Sequence, residues 1–184
     1  DVYKRQLLSR SLERTTTCRS EVYAVAVGDR KGRSRFYLLR RNSGESSMFP
    51  GPSTAGTHSS IEVVVERIDD LVPWRDLPGR TLLKLDVEGS EYLVLDGARD
   101  LIAARAPLIL MEVNLVAMMA AGITWQTLLT RLLQMGYDRF VEAGNQGPVM
   151  TLDTLDPQAK RDVVIIPSGR PWPPQGSPVI HGAS

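Results

Sequence analysis

A chain of 184 residues, 42% hydrophobic and 23% charged, is enough for one ordinary core, and a second domain is not expected. Lys and Arg number 22 against 21 Asp and Glu, a formal charge of +1 that leaves no electrostatic footprint for nucleic acid. The only cysteine, Cys18, excludes an internal disulfide framework and a CxxC metal site, and fits a reducing compartment such as the cytoplasm.

Residues 1–6 read as a non-native leader and are set aside. Leu7, Leu8 and Leu12, interleaved with Arg10, Glu13 and Arg14, predict the tail of an amphipathic helix, stopped by the polar run from Thr15 to Ser20. Glu21–Val27 (EVYAVAV) has the β-branched, apolar character of a buried strand. The turn signal GDRKG follows, then a second run, Arg35–Leu39, so the spacing predicts a hairpin. Arg40 to Ser60 is rich in Ser, Gly, Pro and Thr and predicts a long exposed loop, after which Ile61–Ile68 (IEVVVERI) returns as a strand.

From Thr81 a strand, a helix and a strand follow closely, the βαβ signature of a parallel sheet. Leu82, Leu83, Leu85 and Val87 form the first strand, and Ser90 is placed to cap a helix from Glu91 in which Val94, Ala98, Leu101 and Ile102 share a face. Gly97 costs that helix about 1 kcal/mol relative to alanine, which close approach to a strand would rationalise. Leu108–Val113 (LILMEV) is nearly continuously apolar, as expected of a central strand covered on both faces. The most apolar stretch, Leu101 to Gly122, is broken by Arg105, Pro107, Glu112 and Asn114 and does not read as a membrane span. Thr124 predicts the cap of a helix with Trp125, Leu128, Leu129, Leu132 and Leu133 on one face and Gly136 at its end. Arg139–Ala143 and Asp162–Ile166 read as the last two strands, and Pro171, Pro173, Pro174 and Pro178 mark a disordered tail over 168–184.

In an open α/β sheet, ligands bind beyond the carboxyl ends of the strands, which makes Asp86, Glu88 and Glu112 the candidate site residues. Gly89 permits the sharp turn between them and the next helix. A plainer reading of Glu88 and Glu91 is that they favour a helix N-terminus through its dipole. His58 reads as a solvated loop histidine rather than a general base, Cys18 as a small filler or exposed thiol, and Trp74 and Trp125 as packing residues.

The segment LLKLDVEGSEYLVLDGA resembles the hallmark of the FkbM-type methyltransferases. AVAVGDRKGRSRFYL, GESS, VVVERIDDL, LILMEVN and LLQMGY resemble further segments of that family in the same order, so the resemblance covers Leu7 to Pro167. It implies an α/β, Rossmann-like class I methyltransferase fold, S-adenosylmethionine as donor, and transfer to a hydroxyl oxygen on a sugar, lipid or secondary metabolite. Asp86, Glu88 and Glu112 are then the candidate catalytic residues, with three jobs open to them: orienting the cofactor's amino group, facing its sulfonium charge, or taking the acceptor's proton. Asp86, Gly28 and Asp29 are the candidate cofactor-binding residues. Gly28 and Asp29 lie where such folds approach the adenine ring, although a simple turn explains them equally well. No residue is assigned to a metal, and metal assistance is left open by the three nearby acids. Ile68-Asp69 stands where the family usually has Leu-Asp.

Nothing before Glu21 offers a strand followed by a glycine-rich turn opening a helix, and the acid that should hold the ribose hydroxyls is missing as well. The expectation is an N-terminally truncated domain over 7–167, without its first two strands and glycine-rich loop, inactive by itself and poorly soluble through its exposed sheet edge. A non-catalytic α/β interaction module is the rival from a different class. A nicotinamide-dependent oxidoreductase ranks last, since no GxGxxG stands in the chain.

Overall fold

The computed structural model describes residues 8, 10, 11, 20–39, 46–49, 58–144 and 147–172. β1 (Ala26–Val27), β2 (Gly32–Leu39) and β3 (His58–Glu66) form a three-stranded sheet in the order β1-β3-β2. β3 runs parallel to β1 and antiparallel to β2, with Val65 opposite Ala26 on one side and Gly32 on the other. The hairpin expected between Glu21–Val27 and Arg35–Leu39 is therefore corrected, because those two runs do not pair. β3 is the longest of the three and carries Ile61, Val63, Val64 and Val65, so it takes the centre, where its backbone groups find partners on both edges. The long exposed loop expected over 40–60 is corrected only at its described residues, since 40–45 and 50–57 lie outside them. The strand already begins at His58, opposite Leu39, and Ser47 is only 6% exposed, exchanging backbone hydrogen bonds with Tyr37 at 2.8 and 3.2 Å.

α1 (Ile68–Leu71) and a 3-10 turn (Trp74–Asp76) lead to the second sheet. Its strands are β4 (Leu82–Leu85), β5 (Leu108–Val113), β6 (Tyr137–Glu142), β7 (Met150–Thr151) and β8 (Arg161–Pro167), in the order β4-β5-β8-β6-β7. β4 and β5 are parallel, but β8 runs antiparallel to both β5 and β6, so the sheet is mixed. Among the described residues between β6 and β8 there is no α-helix to carry a parallel crossover, and the chain returns antiparallel. β5 is an interior strand, between β4 and β8, but the middle place is taken by β8, and only Ile109, Met111 and Val113 are fully buried, while Leu108, Leu110 and Glu112 are half-buried.

The single helix expected after Ser90 forms in two pieces, α2 (Glu91–Asp96) and α3 (Arg99–Arg105), separated at Gly97 and Ala98. Its predicted face is nevertheless the buried one: Val94, Ala98, Leu101 and Ile102 are each at most 3% exposed. α3 begins after Ala98, which has no side chain to cap it. Asp69 supplies the cap from a distance, its carboxylate accepting the N–H groups of Asp100 and Leu101, each at 3.0 Å, with Arg67 donating to it at 3.1 Å.

After β5 comes α4 (Leu115–Ala120), which the sequence reading does not anticipate, and then α5 (Trp125–Gln134). α5 starts as expected, the Thr124 hydroxyl accepting the N–H of Thr127 at 3.1 Å, and Gly136 beyond its end is left-handed at φ 84°. Leu128, Leu129 and Leu132 are buried in the core with Leu95, Ile109, Met111, Phe140 and Ile165, whereas Leu133 is 49% exposed. Among the described residues no helix is long and apolar enough to cross a membrane. Of the predicted N-terminal helix tail, Leu8, Arg10 and Ser11 are helical; the rest of it, the leader, Cys18 and the tail from Pro173 lie outside the described residues.

Candidate active site

Because β4 and β5 run in parallel, their carboxyl ends meet at one rim. Leu85 is paired with Met111, so one residue further on Asp86 comes level with Glu112. From Asp86 the chain must turn sharply into α2, and it does so through two consecutive left-handed residues, Glu88 at φ 47° and Gly89 at φ 95°. Gly89 is required twice over, since a Cβ there would also stand 2.4 Å from the carbonyl oxygen of Ala117 in α4. At Glu88 a side chain occupies a backbone region that L residues seldom adopt, which persists only where the surroundings hold it. One such hold is Ser47, whose hydroxyl donates to the Glu88 carbonyl at 2.6 Å and accepts the N–H of Phe49 at 3.1 Å.

This turn brings carboxylate oxygens of Asp86, Glu88 and Glu112 within 4.8 Å of one another. Two unit charges at 4 Å repel by about 4 kcal/mol at an effective dielectric of about 20, so the grouping needs compensation. Lys84 donates to Asp86 at 2.8 Å, and Lys160 pairs with Glu112 at 3.0 Å. The Asn114 carboxamide donates to Glu88 at 3.3 Å and to Glu112 at 3.5 Å. Burial pushes the Glu88 carboxyl above its ordinary range; Lys160 opposes that shift, while Glu112 and Asp86 add to it. Glu91 is only 4% exposed and also titrates high because of its burial, countered by backbone N–H groups of Glu91, Gly89 and Val87. Its carboxylate accepts the Gly89 N–H at 3.4 Å, so Glu91 closes the turn from inside. Three converging carboxylates offer a proton acceptor, a counter-charge for a cationic ligand, or oxygen ligands for a divalent cation.

Residues 4–139 match the family described as Methyltransferase FkbM domain. The chain belongs to the FkbM methyltransferase family. The matched span includes all three acids and Asn114 and ends before Lys160. The chain is also similar to the crystal structure of methyltransferase FkbM from Methylobacillus flagellatus KT at 2.20 Å resolution, with a TM-score of 0.50 and 17% identity. The similarity covers 89% of this chain and 32% of that one, so this chain spans about a third of that protein's length, and at this identity the likeness is one of fold alone. A comparison with curated protein sequences finds no match.

Of the residues singled out in sequence, the structure brings Asp86, Glu88 and Glu112 together. Gly28 and Asp29 follow β1 in the other sheet. The Gly28 N–H donates to the Glu66 carbonyl at 3.0 Å, and a Cβ on Gly28 would lie 2.9 Å from Val65 Cγ1, so this glycine meets a packing demand in its own sheet. Asp29 makes a 3.9 Å ion pair with Arg30. Trp74 is 5% exposed and donates its indole N–H to the Asp69 carbonyl at 3.3 Å, and Trp125 packs half-buried against the core, so both are packing residues. His58 belongs to β3 rather than to a loop.

Sequence reasoning missed Asn114, Lys160 and the structural part played by Ser47. Asn114 had a legible signal, a polar residue between a buried strand and the apolar LVAMMA, which is the pattern of an N-cap. Ser47 lies in the GESS segment that resembles the family, from which its part in holding the turn is not legible, and Lys160 arrives from a segment remote in sequence to which no local pattern points.

Proposed function

We propose that this chain carries part of the active region of an S-adenosylmethionine-dependent O-methyltransferase acting in the cytoplasm on a hydroxyl of a sugar, lipid or secondary metabolite. One observation carries the reading: in a chain of the FkbM methyltransferase family, Asp86, Glu88 and Glu112 converge at the carboxyl rim of two parallel strands. When bound, S-adenosylmethionine supplies a methyl group on a positively charged sulfur, and a rim of carboxylates suits that charge. Asp86, the most exposed of the three, is assigned to the cofactor side of the site, with Gly28 and Asp29 toward the adenine. Glu88, whose carboxyl is raised above its ordinary range by burial, takes the hydroxyl proton of the acceptor, and Glu112 orients that hydroxyl. Among the described residues β4 is paired along one edge only and its Leu82 is 59% exposed. That free edge supports a Rossmann-like arrangement in which a further strand, bearing the cofactor turn, pairs beside β4.

The test is a radiolabelled methyl-transfer assay on the full-length protein with Asp86→Asn, Glu88→Gln and Glu112→Gln. Removal of a general base costs roughly 100- to 10,000-fold in rate, and Glu88→Gln is expected to fall in that range. Wild-type turnover in all three variants would refute the assignment.

A further inference from the structure

We infer that Asn114 is a positioning residue, which holds the Glu88 and Glu112 carboxylates side by side at the rim. The inference rests on the methyltransferase reading only for what the pair then does. A carboxamide has one acceptor and two donors on a single rigid plane, so fixing one end fixes the other. The oxygen end is committed: Asn114 Oδ1 accepts the N–H of Ala117 at 3.2 Å and so caps α4. That bond turns Nδ2 toward the rim, where it reaches Glu88 Oε2 at 3.3 Å and Glu112 Oε1 at 3.5 Å. The reverse orientation of the amide would set oxygen against two carboxylates and nitrogen against an N–H donor, so the hydrogen-bond network admits only one.

Neither aspartate nor serine, two other common capping residues, does both tasks at this place. Aspartate would cap α4 equally well but add a fourth carboxylate to Asp86, Glu88 and Glu112. Serine would cap it, yet its one hydroxyl hydrogen cannot serve two carboxylates. The same helix start also sets the turn itself, since the carbonyl of Ala117 is the atom against which Gly89 packs. α4 therefore fixes both the backbone that presents Glu88 and the direction in which its carboxylate points. Glu112 is held from its other oxygen by Lys160 at 3.0 Å, which leaves the Asn114 amide as the bridge between the two acids.

The experiment compares Asn114→Ser and Asn114→Ala with wild type in three readouts: melting temperature, crystal structure, and methyl-transfer kinetics of the full-length protein. Asn114→Ser keeps a capping oxygen and is expected to melt within about 2 °C of wild type, whereas Asn114→Ala loses the cap and melts lower. In the Asn114→Ser crystal structure the Glu88 and Glu112 carboxylates are expected to move apart, so that their nearest oxygens no longer lie within 4.8 Å of each other as they do now. Its kcat is expected to fall on the order of 100-fold with KM for S-adenosylmethionine unchanged, as misplacement of a reacting group by about 1 Å predicts. Carboxylates that stay in place in Asn114→Ser overturn the inference, whatever the turnover. Carboxylates that part with no change in turnover uphold it and refute the role given to Glu88. A wild-type protein that transfers no methyl group refutes the proposed function, and the crystal structure of the variant still decides for or against Asn114.

Discussion

Gly97 faces the backbone of Gly28 so closely that a Cβ at position 97 would stand 2.0 Å from the Gly28 carbonyl oxygen and 3.0 Å from its carbon. Both obstacles are main-chain atoms, and no side chain can swing aside to relieve them. The contact seats the α2–α3 junction on the turn that leaves β1, and so joins the helices over the second sheet to the first sheet. Gly97→Ala is expected to cost at least the upper end of the about 1–3 kcal/mol typical of overpacking. Gly28→Ala should cost less, because its new Cβ meets only the Val65 side chain, at 2.9 Å. Urea denaturation of the two variants checks the order, and a Gly97→Ala protein as stable as wild type would show that the junction is not tightly packed.

Asp69 is a structural carboxylate, with only 2% of its side-chain surface exposed. Truncation in Asp69→Ala strands the N–H groups of Asp100 and Leu101 and leaves Arg67 without one of its two acid partners, Asp69 and Asp70. Hydrogen bonds to charged groups contribute about 1.5–3 kcal/mol each, so a loss of about 3 kcal/mol or more is expected. Asp69→Asn keeps one acceptor oxygen and should lose roughly half as much. Equal stability of the two variants in a denaturant titration would contradict the capping role.

How much of this could be read beforehand divides along the range of the interactions involved. The βαβ unit from Leu82 to Val113, the Thr124 cap and the Gly136 stop were legible because each is set within a few residues by periodicity and capping chemistry. The convergence of Asp86, Glu88 and Glu112 was legible for a related reason: parallel strands put their carboxyl ends at one rim. The pairing of β1 with β3 was not, since two apolar runs split by GDRKG suit a hairpin equally well and only the strand arriving at His58 decides. The break at Gly97 likewise depends on the Gly28 carbonyl, 69 positions away in the chain and invisible to any local window.

Glu91 predicts a pH dependence of stability. In the unfolded chain a glutamate titrates near 4.5, and burial holds Glu91 above that in the folded state. Between those two values the folded protein keeps a proton that the unfolded chain has released. Stability is therefore greatest below the unfolded value and is lost as pH rises through the folded one. Glu88, also shifted upward, acts in the same sense. Glu91→Gln removes one of the two contributions while its amide oxygen still accepts the Gly89 N–H. Unfolding free energies measured by urea from pH 4.5 to 7.5 should fall less steeply in Glu91→Gln than in wild type. The variant should gain on wild type toward the neutral end. Parallel curves would mean that Glu91 titrates alike in both states.

Lys160 predicts a shift in the pH dependence of catalysis. Its positive charge lowers the Glu88 carboxyl and pairs with Glu112 at 3.0 Å, so in Lys160→Met the base holds its proton to a higher pH. A reaction that needs ionised Glu88 then loses rate at a higher pH on acidification, and the acid limb of kcat/KM moves upward. Lys84 provides the comparison: it is bonded to Asp86 at 2.8 Å and is not among the leading charges on Glu88, as Lys160 is, so Lys84→Met should move the limb less. Because the Lys160 side chain is 55% exposed, salt should screen part of its effect. Raising ionic strength is therefore expected to move the wild-type limb toward that of Lys160→Met and to move the variant less. A limb that stays fixed in Lys160→Met, or moves equally in Lys84→Met, would remove Glu88 as the group whose ionisation limits the rate.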